Sequence, residues 1–179
     1  MLLTCAARLI INHCLKHGIG TIVFGWNKGQ KQSIGLGTKT NQKFAQIPTA
    51  RLKERIEQLC SLYGLQFVET EESYTSKASF LDGDVLPTYG EKPDNWEPKS
   101  FGHAASFRGA SLTRFMSRSE TGKRIQRGLY RSAAGYLINA DCNGAANILR
   151  KVSGRLKLNL SQLSRGALTT PLRVRFWIS

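Results

Sequence analysis

The chain is predicted to be an α/β protein, because its N-terminal part alternates helical and strand-like patterns. Apolar residues recur at helical spacing over 2–17, and a short apolar run follows at 21–24. A second helical pattern opens at Pro48 and Thr49, and residues 65–70 have the composition of another strand. Short apolar runs between amphipathic helices are typical of buried parallel strands. A length of 179 residues allows one domain with an insertion.

The predicted ends of these helices and strands determine which residues lie at the same edge of the sheet. The first helix is expected to stop at Gly18, and Gly64 is expected to cap the second. The apolar positions of the second helix are Leu52, Ile56, Leu59, Cys60 and Tyr63. A helix that links two strands with a tight return predicts parallel neighbours, whose carboxyl ends share one sheet edge. Gly25 is therefore expected beside Glu71 and Glu72.

The charge of the chain identifies its leading partner. Lys and Arg number 26 against 12 Asp and Glu, a net charge of +14 with a pI near 10.1. Such a charge attracts phosphate backbones through counterion release, so we expect DNA or RNA as partner. Solubility alone explains this net charge less well, because a small domain needs a net charge of only roughly 2–8 to stay soluble. A membrane surface ranks lower, since no basic amphipathic segment has a broad aromatic face.

The first apolar run and the cysteine pattern both favour a reducing compartment. Arg8, Asn12 and His13 interrupt the first apolar run, which excludes a signal peptide and a transmembrane span there. The cysteines are scattered and form no CxxC pair: Cys5, Cys14, Cys60 and Cys142. Cys14 and Cys60 fall on apolar helix faces, where cysteine acts as a small hydrophobe. We therefore expect a protein of the reducing cytoplasm.

The alternation stops over residues 84–127. This stretch interleaves arginines with the aromatic residues Trp96, Phe101, Phe107 and Phe115. Aromatic rings among arginines suit single-stranded nucleic acid, and an irregular loop packed by its own rings is an equally good interpretation. Residues 127–140, with a turn at Gly135, are expected to form a hairpin that leads back to the sheet.

Acidic residues at element ends suggest metal-dependent chemistry. Glu71 and Glu72 end a predicted strand, and Asp141 stands where an amphipathic helix begins. The apolar stripe of that helix is Ala145, Ile148, Leu149 and Val152, while Asn143, Asn147, Arg150 and Lys151 are expected to face elsewhere. Carboxylates that face phosphates need cations between them, so a magnesium-dependent nuclease is predicted. The alternatives are an N-cap role for Asp141 and a solvated strand end for the glutamates.

Four segments resemble the TnpB/OrfB family of insertion-sequence proteins, which are RuvC-like nucleases associated with transposition. They are FGWNKGQKQ at 24–32, NQKFAQIPTARL at 41–52, ETEESYTSKASFLDGD at 69–84 and INADCNGAANILRK at 138–151. The YTSK and NADxNGAxNI strings are the most specific. The resemblance covers about residues 1–151.

The resemblance implies an RNase H-like (RuvC-like) fold that cuts DNA under RNA guidance, with Mg²⁺ held by three acids. Asp141 matches the third acid of the family. Glu72 is the choice for the second acid, with Glu71 as the fallback. The basic residues expected to contact the nucleic-acid backbone are Lys28, Lys31, Lys77 and Arg150.

Two departures from the family pattern follow from the same comparison. The zinc-ribbon cysteines correspond to Ser79, Asp82, Arg131 and Ala134, so no zinc is expected and packing must hold the loop. The family's first acid and first three strands have no counterpart here. We therefore expect the C-terminal part of a longer nuclease, inactive alone. Such a part is expected to show poor solubility, self-association or docking onto the missing N-terminal half or a full-length homologue.

The expected domain plan follows. Residues 1–83 and 128–155 would form the RuvC-like half-domain, 84–127 an insertion in place of the zinc ribbon, and 156–179 a basic C-terminal tail. The alternative to an incomplete endonuclease is a non-catalytic DNA- or RNA-binding remnant that regulates the full-length protein. A basic RNA-binding protein of ribosomal type is a third interpretation, which the paired acids disfavour.

Overall fold

The fold is known from a computed structural model. It describes residues 2–27, 48–97, 122–126, 128–161 and 163–171. Over these ranges the chain forms four helices and five short strands, so the α/β prediction is confirmed at that level. The described residues divide into two compact units, one up to Thr70 and one from Glu71 onward. Lys28, Lys31 and three of the four expected loop aromatics lie outside the described residues.

The first unit contains the predicted helix–strand–helix–strand order. Its elements are α1 (Leu2–Lys16), β1 (Thr21–Gly25), α2 (Thr49–Tyr63) and β2 (Gln66–Thr70). The two strands pair in parallel, with Val23 opposite Val68 and Gly25 opposite Thr70. The predicted parallel pair is therefore confirmed.

Residues from both helices build the core of the first unit. The buried members are Ala7, Ile11, Ile56, Leu59 and Cys60. Gly64 ends α2 in the left-handed conformation, with φ 68°, and donates its N–H to the Cys60 carbonyl, which confirms the predicted cap. Tyr63, expected in the apolar stripe, is instead exposed, with the Arg8 guanidinium 5.2 Å from its ring centroid.

The second unit contains a small antiparallel sheet and two helices. Its elements are β3 (Lys123–Gln126), β4 (Leu129–Arg131), β5 (Leu137–Asn139), α3 (Ala140–Leu156) and α4 (Arg165–Thr169). The strand order is β3-β4-β5. The predicted hairpin is confirmed as β4 and β5, with Gly135 in the turn at φ 81°. Its expected return to the parallel sheet is wrong, because its partner is β3, which lies within the stretch interpreted as irregular.

The core of the second unit lies on one face of this sheet. Tyr130 and Ile138 pair across β4 and β5 and are buried with Ala140 and Ala146 of α3. Leu168 of α4 completes the cluster, so part of the expected C-terminal tail is a packed helix. No helix among the described residues is both long and apolar enough to cross a bilayer.

Candidate acidic site

Glu71 opens the second unit and is held by a helix that lies far along the chain. Its carboxylate accepts a hydrogen bond from the Ser73 N–H at 2.8 Å and contacts the ammonium of Lys151 on α3. Burial raises the pKa of Glu71, but the hydrogen bonds from Lys151 and Ser73 outweigh it, so this pKa lies below its usual value. Glu71 is therefore a paired anion.

Glu72 has a different environment from its neighbour. Burial, followed by repulsion from Glu71, raises the pKa of the Glu72 carboxyl. The backbone carbonyl of Glu72 accepts a hydrogen bond from the Thr75 hydroxyl at 2.7 Å, which fixes the turn that follows. Two adjacent carboxyls thus have pKa values shifted in opposite directions, so Glu72 protonates more readily than Glu71.

Asp141 lies in the first turn of α3, as the sequence predicts. Asn139 is the N-cap, because its side-chain oxygen accepts hydrogen bonds from the N–H groups of Asp141 and Cys142 at 2.9 and 3.0 Å. The alternative that Asp141 caps the helix is therefore wrong, since Asn139 already satisfies these donors. The Asp141 side chain is 82% exposed, and its carboxylate lies 3.6 Å from the Arg124 guanidinium.

The distance along α3 between Asp141 and Lys151, the partner of Glu71, bears on whether the acids form one site. Lys151 follows Asp141 by ten residues, which a helix converts into about 15 Å between their Cα atoms. Glu71 is thus held at the C-terminal half of α3, whereas Asp141 is at its start. Paired metal ions in two-metal sites lie roughly 3.5–4 Å apart. The Glu72–Asp141 pair stays a prediction.

The described part of the chain offers an incomplete donor set to a metal. Within the described ranges, no group of three or more His, Cys, Asp or Glu side chains lies close enough to hold an ion. The residues expected to bind Mg²⁺, Glu72 and Asp141, would supply a partial carboxylate set. A pair of Mg²⁺ ions needs several oxygen ligands from protein and substrate, so these residues alone do not fit that group.

Two asparagines join α3 to the turns that follow the acids. Asn143 accepts a hydrogen bond from the Phe80 N–H at 2.9 Å and donates to the Ala78 carbonyl at 2.8 Å. Asn147 donates to the carbonyls of Thr75 and Ala78 at 2.9 and 2.8 Å. Both asparagine side chains are fully buried. The expectation that they face elsewhere is wrong, because the inner face of α3 contacts polypeptide backbone, which needs amide partners.

The expected apolar stripe of α3 is correct only in part. Val152 is buried, Ile148 and Leu149 are partly buried, and Ala145 is exposed. The inner face is therefore rotated toward Ala146 and the two asparagines. The sequence contained a signal for this buried polar face. Asn143 and Asn147 are four residues apart on an alanine-rich helix, and residues i and i+4 share one face.

Direct hydrogen bonds join the 77–84 segment to the β4–β5 hairpin. The Asp82 carboxylate accepts from the Ala133 N–H at 2.6 Å, and the Asp84 carboxylate accepts from the Ser79 N–H at 2.7 Å. The Tyr130 hydroxyl donates to the Lys77 carbonyl at 2.9 Å. The bonds of Asp82 and Tyr130 tie the 77–84 segment to the β4–β5 hairpin, and the Asp84 bond closes the turn itself.

The residues expected to contact nucleic acid have different environments in the structure. The Arg150 guanidinium donates to the Asp84 carbonyl and lies 5.9 Å from the Phe80 ring centroid. Burial lowers the pKa of Arg150, partly opposed by the Asp84 charge. Arg150 thus makes intramolecular contacts, while the side chain of Lys77 is exposed. Trp96 donates to the Val85 carbonyl at 3.0 Å, and its ring packs against Tyr74, which precedes the 84–127 stretch.

Neither a protein-family model nor a curated protein matches the chain. The residues that sequence reasoning missed are Asn139, which caps α3, and Lys151, which binds Glu71. Asn139 carried a signal, because an asparagine before a helical run is a preferred N-cap.

Proposed function

We propose that this chain binds DNA or RNA as the C-terminal part of a TnpB/OrfB-like, transposon-associated endonuclease with an RNase H-like (RuvC-like) fold, and that it does not cut alone. The observation that carries the proposal is the contrast between a strongly basic chain and an incomplete set of acids among the residues that the structure describes. The first property favours binding to a polyanion, and the second disfavours cleavage without another chain.

The charge supports the binding part of the proposal. A net charge of +14 attracts phosphates regardless of base sequence. Exposed basic residues of the second unit include Lys77, Lys123 and Arg124. Because such binding releases counterions, its affinity falls steeply as the salt concentration rises.

The contacts of the acids support the incomplete site. Lys151 neutralises Glu71, and Arg124 lies beside Asp141. A third carboxylate supplied by the N-terminal half of such a nuclease, or by a full-length homologue, would complete the Mg²⁺ ligands together with Glu72 and Asp141. A DNA target and a guide-type RNA are the proposed nucleic acids, in the bacterial cytoplasm.

The alternative is that the chain retains endonuclease activity by itself. It is favoured by Asp141, whose exposed carboxylate at the start of α3 is accessible to a cation and a phosphate. Removing one acid from a cooperative metal site abolishes most activity, so this alternative requires the remaining ligands to come from elsewhere.

A combined binding and cleavage assay tests the proposal. Labelled single- and double-stranded DNA are incubated with the full chain, with and without Mg²⁺ and with and without the RNA transcribed beside its gene. Asp141→Asn and Glu72→Gln are compared with Glu91→Gln, which removes an exposed acid outside the site. We expect salt-sensitive binding by all proteins and cleavage by none.

Each departure from this result has a defined meaning. Mg²⁺-dependent cleavage that disappears in Asp141→Asn and Glu72→Gln but persists in Glu91→Gln would establish the active nuclease and refute the non-cutting form. Absence of salt-sensitive binding in the wild-type chain would refute the proposal as a whole.

A further inference from the structure

Two of the three histidines of the chain lie one helical turn apart at the end of α1. His13 is partly buried and His17 is exposed. Their ring centroids are 4.4 Å apart, with an angle of 42° between the ring planes. Residues i and i+4 of a helix share one face, so the backbone brings the two rings together. The end of α1 thus presents a pair of neighbouring imidazoles.

The backbone fixes the positions from which the two rings extend. The His17 N–H donates to the His13 carbonyl at 3.1 Å, so both residues belong to one hydrogen-bonded turn. Gly18 follows with φ 64°, and the Ile19 N–H donates to the Cys14 carbonyl at 2.9 Å, which closes the helix end. Only side-chain torsions are therefore left to adjust the distance between the rings.

The separation of the rings matches that of two ligands on one transition-metal ion. An imidazole nitrogen binds Zn²⁺ at about 2.0–2.1 Å, and the ring centroid lies roughly 1.2 Å behind that nitrogen. Two such ligands therefore have centroids roughly 4.5–5.2 Å apart, for angles between a right angle and a tetrahedral one. Paired histidines at i and i+4 of a helix are a known arrangement for binding zinc. Side-chain rotation alone can aim one nitrogen of each ring at a shared ion.

The surroundings of the pair favour one class of cation. The sequence of α1 contains no acidic residue, and Lys16 adds a positive charge beside His17. Mg²⁺ and Ca²⁺ prefer oxygen ligands, whereas imidazole suits Zn²⁺, Ni²⁺ and Cu²⁺. The C-terminal end of a helix carries a partial negative charge, which favours a cation at this place. The pair thus suits a borderline transition metal and does not suit the Mg²⁺ of a nuclease site.

We propose that His13 and His17 form a binding site for one divalent transition-metal ion of the Zn²⁺ and Ni²⁺ class. Each ring supplies one nitrogen lone pair, and water completes the coordination. The described residues offer no group of three or more His, Cys, Asp or Glu side chains that could hold an ion. The inference is independent of the proposed function, because it uses none of the residues assigned to nucleic acid or to Mg²⁺.

The expected effect of the ion is to stabilise α1. The folded turn holds both ligands at once, and an unfolded chain does not, so the ion binds the folded state more tightly. Structural zinc sites use four protein ligands, and two hold an ion more loosely. The purified chain is therefore metal-free, and the stabilisation appears when metal is added.

Isothermal titration calorimetry of the full chain, prepared without a histidine tag, tests the site with ZnCl₂ and NiCl₂. His13→Gln and His17→Gln each remove one ligand. The double variant Leu15→His with His17→Gln keeps two histidines but places them at i and i+2, which do not face each other. Leu15 is 45% exposed, so an imidazole fits there. We expect one ion per wild-type chain, no displacement by excess MgCl₂, and binding roughly a hundredfold weaker in all three variants.

Unfolding and NMR measurements distinguish a lost ligand from a lost fold. Without added metal, the variants should unfold thermally at nearly the wild-type midpoint, because the replaced side chains are exposed or partly buried. Added Zn²⁺ should raise the midpoint of the wild type alone. In the proton NMR spectrum, one equivalent of paramagnetic Co²⁺ should broaden the imidazole signals of His13 and His17, which the single variants identify.

Three results overturn the inference. The first is a wild-type affinity for Zn²⁺ and Ni²⁺ no higher than that of His17→Gln, since two linked ligands bind more tightly than one. The second is equal affinity in the wild type and the double variant, which shows that the histidines act separately or that thiols hold the metal. The third is one ion per two chains, which assigns the open positions to a second copy. Each result leaves the proposed function untouched.

Discussion

Lys151 and Glu71 form a partly buried ion pair that fastens the start of the second unit to α3. The same ammonium donates to the Ser73 carbonyl at 2.9 Å and lies 3.4 Å from the Pro87 carbonyl. Side-chain exposure is 11% for Lys151 and 31% for Glu71. The Lys151 ammonium is largely shielded from water and has several hydrogen-bond acceptors. The pair therefore stabilises this unit more than an exposed ion pair would.

Replacing Glu71 with Gln should make unfolding less dependent on pH. The pKa of Glu71 is lowered in the folded protein, so its contribution is fully present above the ordinary glutamate pKa of about 4.3. The contribution disappears as the pH falls through the lower folded value. We expect Glu71→Gln to cost about 1–3 kcal/mol at neutral pH and almost nothing in strong acid. Denaturant unfolding across pH measures this, with Glu91→Gln as control, and an equal cost at all pH values would contradict it.

Asn147 should be among the least replaceable polar residues of α3. Asn147→Ala removes two hydrogen bonds to the carbonyls of Thr75 and Ala78 and should lower the free energy of unfolding by about 1–3 kcal/mol. Asn12→Ala, an exposed asparagine on α1, should change it by less than about 0.5 kcal/mol. Chemical denaturation compares the two. Similar values for both variants would mean that the buried amide does not hold the turns.

The turn at 79–84 should depend on Asp82 and not on a metal. Asp82→Ala leaves the Ala133 N–H without its carboxylate and should cost about 1–3 kcal/mol, whereas the exposed Asp94→Ala should be nearly neutral. A zinc chelator should leave the unfolding midpoint of the wild type unchanged. A midpoint lowered by the chelator would instead reveal a metal that supports this turn.

Lys157 offers a stabilising substitution. It ends α3 with φ 51°, a conformation that strains any residue with a Cβ atom, and its N–H donates to the Ser153 and Gly154 carbonyls. Lys157→Gly keeps these bonds, relieves the strain and should raise the free energy of unfolding by about 1 kcal/mol. Lys157→Ala keeps the Cβ atom and is the control. Equal stability of the two variants would show that the helix end relaxes without cost.

The cysteines should react with alkylating agents in two groups. Burial raises the pKa of the thiols of Cys14, Cys60 and Cys142, so little of each exists as the reactive thiolate. Cys5 is exposed. Mass spectrometry after brief alkylation should find Cys5 modified first, with all four modified in denaturant. Rapid labelling of Cys60 in the native chain would contradict its buried position.

The predictions that succeeded depended on local patterns. The Gly64 cap and the β4–β5 hairpin follow from residues close together in sequence, and the parallel pair of β1 and β2 follows from the order strand, helix, strand. Hydrophobic periodicity, glycine at a left-handed position and a turn between apolar runs act within one element or its neighbour. Such signals are present in the chain before any tertiary contact forms.

The candidate site was predictable only in its residue types and order. Asp141 lies at the start of a helix, as its sequence context predicts. The pairing of Glu71 with Lys151 was not predictable, because the partners stand 80 residues apart. Both are charged residues that most proteins leave in water, and only the fold determines which opposite charge lies within reach.

The sequence by itself determined α1, β1, α2, β2, the β4–β5 hairpin, the start of α3 and the net charge, because periodicity, turns, caps and net charge are properties of neighbouring residues or of composition. It did not predict β3 or α4. Only the tertiary structure decided that Asn143 and Asn147 are buried, since their partners are carbonyls and an N–H group of the distant 75–80 segment. The same holds for the small sheet: strand register, a long-range property, aligned Lys123 with Arg131 and Leu137.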